Sequence, residues 1–401
     1  MGIFTEAKNK DELILVFDIR SSSVGGALFR AQKSGIPKII ISFREPVALE
    51  KNVNADRLLF LTMKSLEVVA NKIYMAGLGA PERFFCVLSS PWHISQTRVI
   101  KLEKNAPFIF TSKLADSLIE KEISLFEEEY LAKYMDARDT VRSIELKNIK
   151  TMLNGYEAPN PLNQKAKELE MVIFISMSGE QILNKIEETI RKHFTFQSIK
   201  FSSFTVASFA VVRDMYTKSE DFLLIDIGGE VTDISMIKKS VLRESISFPL
   251  GCNFIIRGVA STLKSSQSSS FSEARSILSL FKDGHATESV IKKIGPVINK
   301  LKSEWQAKFQ ESLSNLTNDI SIPATIYISV NKDLADLFCQ IIKTEQFNQY
   351  TFTESKFEVV LLNAEIFRGM VSFEKNTILD PDLIIDSIYI NRFLINSTLP
   401  R

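Results

Sequence analysis

Residues 222–234, FLLIDIGGEVTDI, run as an apolar strand, reach Asp226, turn through Gly228-Gly229-Glu230 and resume as a second apolar stretch. Strand interiors disfavour Gly, so the pair marks a place where the chain turns or where another group comes close to the backbone. A hairpin turn of this kind presents successive backbone N–H groups, the makings of an anion nest. The same design occurs once more. Residues 13–31, LILVFDIRSSSVGGALFRA, give an apolar strand, Asp18, the polar turn Arg20-Ser21-Ser22-Ser23 and a second strand. Each hairpin is followed by a third strand, KIIISFREP after the first and SVLRESISFPLG after the second. The two copies lie roughly 200 residues apart, too far for a solenoid but suited to duplicated domains that face one cleft.

Bulk properties narrow the rest. The 401 residues are 45% apolar and 24% charged, with a net charge of +1, enough for two or more packed cores. Lys and Arg alternate with Asp and Glu along the chain, and no basic stripe marks a nucleic-acid binder. Cys86, Cys252 and Cys339 are far apart in apolar surroundings and read as reduced core residues. His93, His193 and His285 are isolated and make neither a ligand cluster nor a catalytic triad. The opening MGIFTEAKNKDELILVF has too short an apolar core for a signal peptide, and no stretch approaches the ~20 residues that span a bilayer. A cytoplasmic protein is the expectation.

Between the hairpins, ADRLLFLTMKSLEVVANKIYMAG carries apolar residues at helical spacing and stops at Gly77, and RFFCVLSS (83–90) is a buried strand. Strand, helix, strand and strand over residues 91–177 form a small α+β module inserted in something larger. A helix, the strand SIKFSSF and the helix TVASFAVVRDMYT follow up to residue 215. After the second hairpin, helices dominate 252–320, with the Ser-rich run 265–272 as an exposed loop, and ATIYISV (324–330) and FEVVLLN (357–363) as strands. Trp305 and Phe309, four apart on a helix, read as core. The C-terminal PDLIIDSIYINRFLINSTLPR lacks the basic face of a membrane-surface helix and is expected to dock on its own domain.

Two hairpins aimed into one cleft could hold a triphosphate between them. Ser21, Ser22 and Ser23 offer hydroxyls, Gly228 and Gly229 close backbone approach, and Asp18 and Asp226 carboxylates for a magnesium ion through its waters. Either turn alone reads equally as ordinary hairpin chemistry; the pair in matching contexts favours the shared site.

Taken together, DIGGEVTDI resembles the second phosphate motif of the actin-like ATPases, D-x-G-G-G-T-x-D, and DIRSSSV resembles the first. CVLSSPWHISQTRVIKLE and LNGYEAPNPLNQKAKELEMVIFIS resemble the two borders of the extra subdomain of FtsA, the bacterial division actin homologue. FSSFTVASFAVV resembles the connecting helix, and FPLGCNFIIRGVA the segment after the second hairpin, whose Gly251 and Asn253 join the phosphate-binding set. PilM, the FtsA-like component of type IV pilus assembly, shares this architecture. The resemblance runs over most of residues 12–330. It implies an actin-like (ribonuclease H-like) two-domain α/β fold with an FtsA-type insertion. Domain 1A is then 12–90 and 178–217, the insertion 91–177, domain 2A 218–250 and 321–390, and helical 2B 251–320.

What the resemblance implies for function is a cytoplasmic, self-associating scaffold of a membrane-linked assembly, with residual Mg-ATP binding in the cleft and no catalytic residue, at most a weak ATPase. Its partners would be a tubulin-like division protein or, in the PilM alternative, the cytoplasmic tail of a membrane assembly protein, with membrane contact indirect and at the inner face. A second alternative is an ATP-consuming enzyme of the sugar-kinase type. The sequence departs from the family pattern at five places. Arg20 and Glu230 stand where the motifs have Gly, VNKDLAD replaces the glycine-rich adenosine loop, SEARSILSLFKDG lacks the basic residue that faces the adenine, and Ser203 occupies the position nearest a catalytic acid.

Overall fold

A computed structural model describes residues 12–52, 54–134, 140–263, 267–282, 284–316, 321–344, 356–375 and 377–395. The two Asp-bearing runs become central strands of two sheets built alike. In the first half, β1 (Leu13–Ile19), β2 (Ser23–Arg30), β3 (Lys38–Pro46), α1 (Ala55–Met75) and β4 (Arg83–Leu88) precede the insertion. The insertion comprises β5 (Ile94–Ile109), α2 (Ser112–Tyr134), β6 (Val141–Leu153), β7 (Tyr156–Glu157) and β8 (Lys165–Gly179). Then come α3 (Glu180–Arg191), β9 (Ile199–Ser203) and α4 (Phe204–Met215). The second half holds β10 (Phe222–Ile227), β11 (Thr232–Lys238), β12 (Val241–Phe248), α5 (Cys252–Ala260), α6 (Gln267–Lys282), α7 (Glu288–Asn315) and β13 (Thr325–Val330). It closes with α8 (Ala335–Lys343), β14 (Glu358–Leu361), β15 (Ser372–Phe373) and α9 (Pro381–Tyr389), which Ile390–Ile395 extends with wider turns.

The first sheet runs β15-β3-β2-β1-β4-β9 and the second β12-β11-β10-β13-β14. In both, the first three strands of the repeat are antiparallel and the next two parallel. Asp18 and Asp226 are the penultimate residues of equivalent strands, opposite Gly25 and Asp233. The internal repeat read in the sequence is therefore a repeat of topology. The insertion forms a separate sheet, β5-β8-β6-β7, with α2 packed on one face.

Side-chain periodicity explains which faces are covered. α1 buries Leu59, Met63, Leu66, Val69 and Ile73 on one stripe, is capped by the Asn54 side chain accepting from the Arg57 N–H, and stops before Gly77, which adopts φ +63°. α7 buries Ile294, Ile298, Leu301, Trp305, Phe309 and Leu313 beneath the second sheet. Between the two sheets lie α4 and α9, both apolar on nearly every side, as expected of helices buried all round.

Three expectations need correction. Residues 267–272 of the Ser-rich run open α6 rather than a loop, and Ala274, Ile277 and Leu278 of that helix are buried; residues 265–266 lie outside the described part. The segment 357–363 shortens to β14. Residues 321–390 do not form one unit: β15 pairs with β3 of the first sheet, and α9 packs against β1, β2 and α4. The chain returns to its first domain, and the C-terminal segment through Ile395 is core, not a free surface helix.

Candidate functional site

The two hairpin turns meet. The Glu230 N–H donates to Ser21 Oγ at 3.0 Å, and a Cβ built on Gly229 would lie 2.8 Å from the Ser22 nitrogen. Only glycine permits so close an approach. Other donors of the second turn and of the following helix are engaged locally. Gly228 N donates to the Val231 carbonyl at 2.9 Å, while the Cys252 and Asn253 N–H groups at the start of α5 donate to the carbonyls of Gly228 and Gly229 at 2.9 and 2.8 Å. Gly251 makes this possible, since a Cβ there would fall 2.5 Å from both carbonyl oxygens.

Arg20 fills the space between the strand-end carboxylates. Its Nε donates to Asp18 at 3.0 Å, Nη1 to Asp226 at 2.8 Å, and Nη2 contacts Asp382 of α9 at 3.1 Å. The guanidinium lies over the Phe204 ring of α4, 4.0 Å from its centroid. Arg44 of β3 closes the far side: it reaches Asp18 at 2.6 Å, Ser23 Oγ at 2.9 Å and both oxygens of Asp380. Burial alone would weaken the Arg20 charge, but Asp18, Asp226 and Asp382 hold it firmly protonated.

The carboxyl groups differ in state. Burial tends to raise Asp380, but Arg44 and the Leu383 N–H outweigh it and keep that group low. Burial pushes Asp382 up to about 6 against the pull of Arg20. Asp386, one turn further along α9 and fully buried, rises well above the usual carboxylate range because burial strips its solvent and neither oxygen has a hydrogen-bond partner. Burial, aided by Asp226, pushes Asp233 up to about 7 despite hydrogen bonds from Ser247 and Ser90.

Asp233 gives a pH prediction with a definite sign. Its folded-state pKa lies above the ordinary 3.8, so between these values the folded chain holds a proton that the unfolded chain has released. Its contribution to stability is complete near pH 4, declines as pH rises and is lost above about 7. Urea unfolding of wild type and Asp233→Asn across pH 5–8 is expected to show the wild type losing ground to the variant up to about pH 7 and the gap levelling off beyond.

Glu230 is tied down as well. Its carboxylate takes a bidentate pair from Arg257, at 2.7 and 2.6 Å, and a hydrogen bond from Asn253 at 2.8 Å. Ser203 caps α4 and donates to Glu145 of the insertion at 3.0 Å, and the same carboxyl accepts from the Tyr389 hydroxyl at 2.5 Å. That network joins the insertion, α4 and α9.

The residues singled out in the sequence thus do converge: Asp18, Arg20, Ser21, Ser22, Ser23, Asp226, Gly228, Gly229, Glu230, Gly251 and Asn253 all line the contact between the hairpins. Most of their donors and acceptors, however, serve one another or the neighbouring Arg44 and Arg257. A magnesium triphosphate does not fit this arrangement. A guanidinium sits between the two carboxylates, the Glu230 carboxylate lies at the second turn, and the turns touch where phosphates would pass. Among the described residues no group of three or more His, Cys, Asp or Glu side chains is arranged to hold a metal ion. A cavity of about 210 Å³ remains beside Ser22, Ser23, Arg44, Arg275 and Asn331; it falls short of the ~300 Å³ at which ligand pockets begin. Arg44, Asp380, Asp382, Asp386 and Arg257 escaped the sequence reading. The signal for three of them was there, acids at 380, 382 and 386 in the otherwise apolar DPDLIID.

No protein-family model matches the sequence, and no curated protein matches it either. Solved structures do. The PilM–PilN type IV pilus biogenesis complex contains a chain 13% identical to this one, with a TM-score of 0.59, over 94% of this chain and 95% of that one. The chain has the actin-like fold. Weaker likenesses, at TM-scores of 0.43 and 0.40, are to a Bacteroides thetaiotaomicron protein with an actin-like ATPase fold (8% identical, 96% of this chain and 98% of that) and to the ethanolamine utilization protein EutJ of Carboxydothermus hydrogenoformans (12%, 94% and 89%). The hairpin contact described above lies in the crevice between the two similarly built sheets.

Proposed function

We propose that this protein is a PilM-type scaffold that works without nucleotide. It would stand at the inner face of a membrane, associate with copies of itself and hold the cytoplasmic tail of a membrane assembly protein. The observation that carries the reading is the likeness to the pilus-complex structure over nearly the whole of both chains. The C-terminal segment up to Ile395 is packed between the sheets. No helix among the described residues is long and apolar enough to cross a membrane.

Catalysis has no place in this reading. Phosphoryl transfer depends almost wholly on positioning a metal-bound nucleotide, and the crevice is closed by its own ion pairs.

Two measurements test it. Thermal unfolding with and without millimolar Mg-ATP is expected to give the same Tm; a ligand at a hundred times its Kd adds about 2.7 kcal/mol, and a shift of that order would refute nucleotide independence. The scaffold role is tested with the membrane proteins of the source organism. Their isolated cytoplasmic tails are expected to bind the purified protein in calorimetry, equally with or without Mg-ATP. Failure of every tail would overturn the partner assignment.

A further inference from the structure

We propose that Arg20 is a built-in cation that keeps the interdomain crevice permanently closed, taking by covalent attachment the place a dissociable ion would hold between Asp18 and Asp226. Three carboxylates converge on one guanidinium from three elements: Asp18 from β1, Asp226 from β10 and Asp382 from α9, at 3.0, 2.8 and 3.1 Å. A fourth element, α4, supplies the Phe204 ring on which the guanidinium lies. Four elements that face the crevice are thereby fastened to a single side chain, itself only 4% exposed. A guanidinium suits the task because its donors point along fixed, separate directions, whereas an ammonium is a single point charge.

A further contact depends on the clasp. The Glu230 N–H reaches Ser21 Oγ across the crevice only while the two turns are held together. An ion from solution would leave at a rate set by its affinity, and the domains would open with it. A tethered one keeps them closed whatever the nucleotide or metal concentration. This inference goes beyond the scaffold reading and holds or fails without any partner.

The test is chemical rescue. Arg20→Ala leaves the buried Asp18 and the half-buried Asp226 and Asp382 facing a hole of guanidinium shape. Its Tm is expected to fall by roughly 5 °C or more, with faster hydrogen exchange at the Glu230 amide. Guanidinium chloride at tens of millimolar is expected to recover part of both losses in Arg20→Ala, with potassium chloride at equal ionic strength as control. It is expected to recover neither in wild type nor in Arg20→Ala/Asp226→Asn. Wild-type Tm and exchange in Arg20→Ala, or equal response of all three proteins to guanidinium, would overturn the proposal. Should Arg20→Ala not fold, Asp226→Asn decides alone, since it removes the cross-crevice negative charge while keeping the shape of the side chain. Faster Glu230 exchange supports the clasp and unchanged exchange refutes it.

Discussion

Asp380→Ala is expected to lower stability by about 3–5 kcal/mol, the usual cost of removing one partner of a buried pair. Asp380 is 8% exposed and does two jobs. It caps α9, accepting from the Asp382 and Leu383 N–H groups at 3.1 Å each, and it takes both arms of Arg44. Alanine removes both roles and leaves the Arg44 guanidinium short of a counter-charge. Asparagine keeps an oxygen for the cap and is expected to cost less, about 2 kcal/mol for the weakened charged hydrogen bonds. The pH dependence runs opposite to that of Asp233. Asp380 has a lowered folded-state pKa, so its contribution is full above its ordinary 3.8 and disappears as pH falls below that value. Urea unfolding at pH 7 and at the lowest pH where the protein stays folded is expected to show the Asp380→Asn penalty shrinking in acid.

Trp305→Ala is expected to cost a similar ~3–5 kcal/mol, as large aromatic truncations in cores do. Its ring has no exposed surface, stacks on Phe309 with centroids 5.2 Å apart, and meets Phe338 and Phe248 edge-on or tilted at 5.1 and 5.6 Å. The indole N–H donates to the Leu250 carbonyl at 3.2 Å, the residue before Gly251. The second domain's core thus holds the loop that sets the α5 start against the Gly228-Gly229 turn. Trp305→Phe preserves most of the packing and is expected to cost about 1 kcal/mol for the lost hydrogen bond. Since Trp92 in the first half is the other tryptophan of the two, fluorescence of Trp305→Ala reports that half alone. An alanine penalty below about 1 kcal/mol would show that this core is not packed as described.

The two sheets could be read from the chain because each strand carries its own evidence: a short apolar run, period-two alternation and a turn of small residues. The duplication was legible for the same reason, as both copies end in Asp-Ile before the turn. Arg20 was visible as an intruder in its motif, but its role was not, since Asp226 and Asp382 come from distant parts of the chain and no local rule pairs them. α9 lay beyond reading for a topological reason. It lies beyond β14 in sequence, after the short β15, yet packs beside β1, and apolarity alone does not say which domain a helix serves. The start of α6 was misread because Ser favours caps and turns in isolation. Burial of Ala274, Ile277 and Leu278 in the second core, with Phe271 packed against it, overrides that preference.

The bond from Arg20 to Asp226 is the point on which the closed crevice depends, and a double-mutant cycle measures it. Stabilities of wild type, Arg20→Ala, Asp226→Asn and the double variant are compared by urea unfolding at pH 7. A coupling energy of about 1–3 kcal/mol is expected for a direct buried contact; additivity within about 0.5 kcal/mol would mean that the two residues do not meet across the crevice.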